Sequence, residues 1–170
     1  LRLNLDAEPD RDRFDLTLAA RGNADGVMAH LTKVNRPIFV QVYGQGSWKN
    51  WQGRALAIAG ADRMIDLSLA NAAGRYHVNG RVAPGVLLKG GLKRIASPYV
   101  AIDLDTGFDN RRFDGRLSLR SPALTLDADG GIDLRTSSFR NLQVSARLLR
   151  PGDLVNKMSG RNIQLRMVLD

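Results

Sequence analysis

Apolar and polar residues alternate along this chain in short runs, almost from end to end. Leu-Arg-Leu-Asn-Leu (1–5), Phe-Asp-Leu-Thr-Leu-Ala (14–19), Ile-Asp-Leu-Ser-Leu-Ala (65–70) and Tyr-His-Val-Asn-Gly-Arg-Val (76–82) set the pattern. It continues through residues 100–105, 117–120, 124–129, 142–148 and 163–169. Side chains on a strand point to opposite faces with period two, so each run has one oily face and one wet face. Runs of this kind, with short connections between them, predict a mainly β protein: an elongated antiparallel sheet of ten to twelve strands.

Glycine, Asn and Asp punctuate the runs, at Gly22-Asn23, Gly44, Gly60, Asn71–Gly74, Asn79-Gly80, Pro84-Gly85, Thr106-Gly107, Asp109-Asn110, Asp129–Gly131, Pro151-Gly152 and Ser159-Gly160. These residues tolerate the backbone angles of tight hairpins. Gly80 falls between Val78 and Val82, inside a strand pattern, and reads there as a close-approach or bulge position. Helical periodicity is sparse. Val27, Met28, Leu31 and Val34 fall on one stripe of 24–34, with Asn23 or Asp25 as cap and Pro37 as stop. Leu88, Leu92 and Ile95 do the same in 86–96, weakened by Gly90-Gly91 and closed before Pro98. One or two turns follow Asp153. Two or three short helices are thus expected to cover an end or edge of the sheet. No internal boundary divides the 170 residues, and the alternation reaches the last one, so the chain reads as one segment of a larger repetitive β protein.

Composition sharpens this picture. Aromatics make up 6% against 44% hydrophobic overall, so Leu, Val, Ile and Ala form the oily face. Net charge is +8. The cations are dispersed along strands beside aspartates, which is the pattern of a solvated face and not of a phosphate-tracking stripe. The densest basic spots, Lys89–Arg94 and Arg111–Arg116, leave an anionic lipid surface as a further possibility. There is no cysteine, and no run approaches the roughly 20 apolar residues of a membrane-spanning helix.

Catalytic chemistry finds little footing. The two histidines, His30 and His77, stand apart, with no nucleophile motif beside them; neither a zinc set nor a phosphate-binding glycine loop is present. Asp103 with Asp105, and Asp127 with Asp129, are paired on strands, but on the wet face where charge is expected. No enzyme activity, metal or cofactor is expected. The locally distinctive motif is Gly46-Ser-Trp48-Lys-Asn-Trp51-Gln-Gly53, a strand–turn–strand with Lys49-Asn50 at the turn. Its two indoles brace a hairpin or, on a second reading, form an interfacial or sugar-binding pair.

This Trp hairpin resembles one in the N-terminal half of TamB-type translocation and assembly module proteins, of the AsmA-like group. Two further passages are similar to that family. One runs from Gly74 through Tyr76, Val78 and Val82 to Pro84-Gly85 and Leu88. The other is Leu148-Leu-Arg-Pro-Gly-Asp-Leu154 followed by Ser159–Leu165. The resemblance covers roughly 40–170. It implies a periplasmic protein whose inner-membrane anchor lies outside this segment, with an open, curled β-taco sheet and a continuous hydrophobic groove. It also implies a role in moving phospholipid between two membranes and in outer-membrane biogenesis, phospholipid and an outer-membrane assembly barrel protein as partners, and no catalytic residues.

The physical counterpart is an acyl chain sliding along one face of every strand. Each methylene moved from water onto that face gains roughly 0.8 kcal/mol. The candidate lining is Leu67, Leu69, Val78, Ile102, Leu104, Leu117, Leu119, Leu124, Leu126, Leu142, Val144, Ile163 and Leu165. From alternation alone, the same residues fit the closed core of a sandwich or barrel. A second functional reading is a protein-interaction scaffold that captures outer-membrane protein strands by β-augmentation at its edges. A third, glycan binding at Trp48 and Trp51, rests on the hairpin alone.

Overall fold

The computed structural model describes residues 2–8, 11–26, 29–30, 34–154, 160 and 162–170. They form one antiparallel sheet of eleven strands in strict chain order: β1 Arg2–Glu8, β2 Arg13–Gly22, β3 Ile38–Gly46, β4 Asn50–Ala59, β5 Asp62–Ala72, β6 Arg75–Val82, β7 Val100–Asp109, β8 Arg112–Arg120, β9 Leu124–Asp133, β10 Ser138–Leu148 and β11 Ile163–Leu169. Each strand pairs with its sequence neighbours, and β1 does not pair with β11, so the sheet is open. The expected strand number and antiparallel order are observed.

Connections are sorted by end. At the turn end the β3–β4, β5–β6, β7–β8 and β9–β10 hairpins close through residues 47–49, 73–74, 110–111 and 134–137. At the opposite end, three long connections recur every four strands, after β2, β6 and β10. The last two open alike, with Pro84-Gly85 and Pro151-Gly152. Pro84–Val86 forms a single 3-10 turn, followed by helix α1 (Gly90–Ile95), and Pro151–Leu154 forms helix α2. The helix expected over 86–96 is therefore shorter: Gly90, at φ +60, begins it instead of interrupting it. One and a half turns cannot bury a whole stripe. Ile95 is buried and Leu88 half-buried, while Leu92 is 59% exposed. The other expected helical stripes, on Val27, Met28 and Leu31 and on 155–158, lie outside the described residues.

Burial is concentrated at this helical end. Val34, Ile38 and Ala59 form a small cluster with Val40 and Met64 against it. Arg36 closes it from outside by pairing with Asp62 at 2.5 Å. Further along, Ile95, Ala96, Ala123 and Pro151 are buried where α1 and α2 meet. The Arg94 Nε donates to the Asp153 carbonyl, 2.8 Å, and the Ser121 hydroxyl to the Ile95 carbonyl, 2.6 Å. Gly91 lies so close to the Leu154 carbonyl that a Cβ there would run into it. These bonds satisfy the loose backbone groups of short helices.

Several glycines read as turn signals sit within strands instead: Gly44 in β3, Gly107 in β7, and Gly130 and Gly131 in β9; Gly80 lies within β6, as its place between Val78 and Val82 suggested. Strands approach closely at most of them. Gly80 has φ +150, and a Cβ there would meet the Asp66 carbonyl and the Leu67 Cα. At Gly53 and Gly115 a Cβ would strike the carbonyls of Tyr43 and Asp105 on the adjacent strand. Glycine at such points lets a sheet bend sharply without breaking its hydrogen-bond ladder. Register slips at Ala57/Ile58 and Arg140/Gln143 add local twist.

Candidate functional site: an aliphatic face on an open sheet

Cross-strand register decides which residues share a face, because directly opposed residues point the same way. One transverse row runs Ala55–Leu67–Gly80–Ile102–Leu119–Leu126–Ala146–Leu165 across eight strands. A second runs Leu69–Val78–Leu104–Leu117–Ala128–Val144–Met167. Leu124, Leu148 and Ile163 form a third, nearer the helices, and Leu142 opposes Leu169 in a fourth. All thirteen candidate lining residues thus stand on one face of one continuous sheet. None is buried; from Leu67 to Val144 they are half-buried, while Ile163 and Leu165 on β11 are 43% and 53% exposed. Among the described residues no second sheet lies over this face. The closed-core alternative needs these side chains buried, and they are not. Their partial shelter comes from neighbours in the same rows.

The opposite face is a ladder of ion pairs, all but Arg63–Asp66 joining adjacent strands. Arg54 and Arg63 both hold Asp66, each at 2.7 Å; Arg75 holds Asp105, and Arg116 holds Asp129, each at 2.5 Å. Arg120 pairs with Asp127 at 2.5 Å, and the Asn79 amide donates to Asp103. Every carboxylate of the two Asp pairs therefore has a cross-strand partner. The Asp66 carboxyl is held below its ordinary range, first by the Arg54 hydrogen bond, and the Arg54 guanidinium is raised by the same contact. A depression of about 630 Å³ lies on this face, between Asp103, Arg116, Asp127, Asp129, Gln143 and Arg166. Leu117, Ala128, Val144, Met167 and Val168 share its walls with these charged and polar groups. His77, also on this face, sits 3.9 Å from Asp105; His30 contacts the Gly26 carbonyl, far along the chain. No group of metal-binding side chains occurs among the described residues.

The Trp hairpin is braced by a ring that the sequence did not single out. Phe14 on β2 lies between the two indoles, with centroids 5.6 Å from Trp48 and 5.4 Å from Trp51. Trp48 is 41% exposed in the turn, while Trp51 stands half-buried on β4. Asn50 begins β4, so the turn is Ser47–Lys49, one residue earlier than expected; the Asn50 amide donates to the Ser47 hydroxyl. Buried Asn71 ties the turn to β5 through the Trp48 carbonyl. A second aromatic group was also missed: Phe108 and Phe113 oppose each other, 4.6 Å apart, and Ile132 and Phe139 extend the row. Residue type puts the turn at Asp109-Asn110; the turn is Asn110-Arg111, and that one-residue shift sets Phe108 opposite Phe113.

Asp133, at the end of β9, is 4% exposed. Its carboxyl is held below the ordinary carboxylate range, foremost by the hydrogen bond from Arg112 Nε at 2.9 Å, with the Arg135 and Thr136 amides adding to it. It organises the β9–β10 turn. With the geometry in hand, comparison with known proteins adds no neighbour: no family model, curated protein or solved structure matches the chain.

Proposed function

We propose that this chain is a segment of an envelope scaffold that carries phospholipid along its aliphatic face, between two membranes, in the periplasm. The observation that carries the reading is the unbroken aliphatic face on an open sheet, with thirteen candidate residues in register and none buried. The sheet curls there into the β-taco form, and the face serves as a groove. An acyl chain laid across the rows exchanges water for Leu, Val and Ile side chains at every strand. The lining holds no fixed polar partner that would arrest it, so neighbouring positions are nearly equivalent and the chain slides. The phosphate head remains in water beside the open edge. No group transfer takes place, and the scaffold is not an enzyme. Its place in outer-membrane biogenesis, with a barrel protein as partner, follows the family resemblance of the Trp hairpin and the two Pro-Gly passages.

A second reading is a protein-interaction scaffold that holds outer-membrane protein strands by β-augmentation at an edge of the sheet.

The two readings separate in one experiment. The protein is purified without detergent, extracted with organic solvent, and the extract analysed by mass spectrometry. Recovery of phospholipid, displaced by an added fluorescent fatty acid, is the expected result. A lipid-free extract from protein that also fails to bind the fatty acid overturns the conduit reading. Capture of unfolded barrel strands by that same lipid-free protein would leave augmentation standing.

A further inference from the structure

The helical end carries a second apolar surface, which the aliphatic face does not explain. Leu87 is 54% exposed, Leu92 59% and Leu154 39%, all on the 3-10 turn, α1 and α2 or directly beside them. Short helices normally turn such residues inward. Here Ile95 and Pro151 fill the inside and the leucines point out.

Their surroundings are basic. No Asp or Glu occurs anywhere in 67–102. Across 84–99 and 150–154, Lys89, Lys93, Arg94 and Arg150 face the single carboxylate Asp153, a net charge of +3. Arg150 reaches Asp153 at 3.5 Å, and Arg94 donates to its carbonyl. Lys89 and Lys93 are exposed and make no ion pair among the described residues. Two depressions flank Lys93. One, of about 430 Å³, has Arg36, its partner Asp62, Arg63 and Ser97 on its walls; the other, of about 490 Å³, has Arg94, Arg150 and Asp153.

We propose that this helical cap docks on the surface of an anionic phospholipid bilayer, with Leu87, Leu92 and Leu154 dipping into the interface and the cations meeting the head groups. The occupant follows from the pairing of exposed leucine with unbalanced positive charge, the combination by which interfacial elements hold anionic membranes. A nucleic acid would use the cations but gain nothing from the leucines. The contrast within the molecule is informative. The exposed row of Phe108, Phe113 and Phe139 at the turn end lies among Arg111, Arg112, Arg135 and Arg140 but also Asp109, Asp114 and Asp133, a net charge of +1 against the cap's +3. Docking at the cap needs no lipid on the aliphatic face, so the two properties stand or fall separately.

The test is co-sedimentation with vesicles of equal parts phosphatidylglycerol and phosphatidylcholine, against phosphatidylcholine alone. Binding is expected only to the anionic vesicles. A cation near such a surface contributes about a fivefold gain, so Lys89→Gln with Lys93→Gln should weaken binding about 30-fold. Leu87→Ser with Leu92→Ser should weaken it about tenfold or more without changing net charge. Lys49→Gln with Arg135→Gln, charge-matched but at the turn end, should leave it within about threefold. Equal loss in that control would overturn the proposal, since the attraction would then belong to the whole +8 chain. So would tighter binding of a 20-base-pair DNA duplex with the same lysine dependence and no effect of the leucines. Leu69→Asp, on the aliphatic face, should not alter vesicle binding, which keeps failure here distinct from failure of the conduit.

Discussion

Placing two carboxylates on the aliphatic face tests both its openness and its use. Leu69 and Leu117 belong to one transverse row, three strand spacings apart, or about 14 Å, with Val78 and Leu104 between them. In a closed core, each Leu→Asp change would cost more than the 2–5 kcal/mol of a Leu→Ala truncation, because a charge is also stranded. Two such changes would exceed the stability of most domains. On a half-buried face the carboxylates stay in water, so each costs about 1–2 kcal/mol and the double variant remains folded. Binding responds differently. About ten methylenes, each half-covered, gain about 4 kcal/mol on this row. Interrupting it twice removes about half of that, which is about a 30-fold loss of affinity. The assay is a fluorescent fatty-acid titration, with circular dichroism and urea denaturation on the same samples. Ser68→Asp with Ser118→Asp, one residue along on the polar face, is the charge-matched control and should change affinity less than about twofold. Collapse of the double variant would refute the open face, and unchanged fatty-acid affinity would refute its use.

Three further outcomes follow from local geometry. Gly115→Ala should cost about 1–3 kcal/mol in urea denaturation, since its Cβ meets the Thr106 Cα at 2.6 Å, whereas Gly107→Ala, with 3.8 Å to its nearest neighbour, should be nearly neutral. Trp51→Ala should lower the melting temperature more than Trp48→Ala, because Trp51 is the more buried of the two rings on Phe14; equal losses would contradict the bracing role. The lowered Asp133 carboxyl favours the folded state in its ionised form. That contribution is therefore full above the unfolded carboxylate's pKa, near 3.8, and is lost as pH falls through the lower native value. In Asp133→Asn this acid-side loss should be reduced in a pH series of thermal melts.

The resident pattern of Leu and Val at i, i+2 determined the strands, the antiparallel order and the membership of the aliphatic face, because side-chain direction on a strand depends only on parity. Leu67, Leu104 and Leu126 could be put on one face without knowing which strand lay beside which. The Pro-Gly pairs at 84 and 151 likewise marked where strands give way to short helices, since proline cannot continue a ladder. Other features depended on what stood across the sheet. Gly80 was legible as a close approach from the strand pattern around it, whereas Gly130 looked like a turn by residue type, and only the neighbouring Asn141 and Leu142 show that strands approach closely there. Phe14 joined the Trp pair through a β2–β3 register that no local spacing encodes. The outward leucines of the cap follow from a helix too short to bury its stripe, set by Gly90 and the packing of α2. Sequence thus decided which residues share a face, a property of the local backbone. The tertiary structure decided what covers each face, because burial depends on partners brought together from distant parts of the chain.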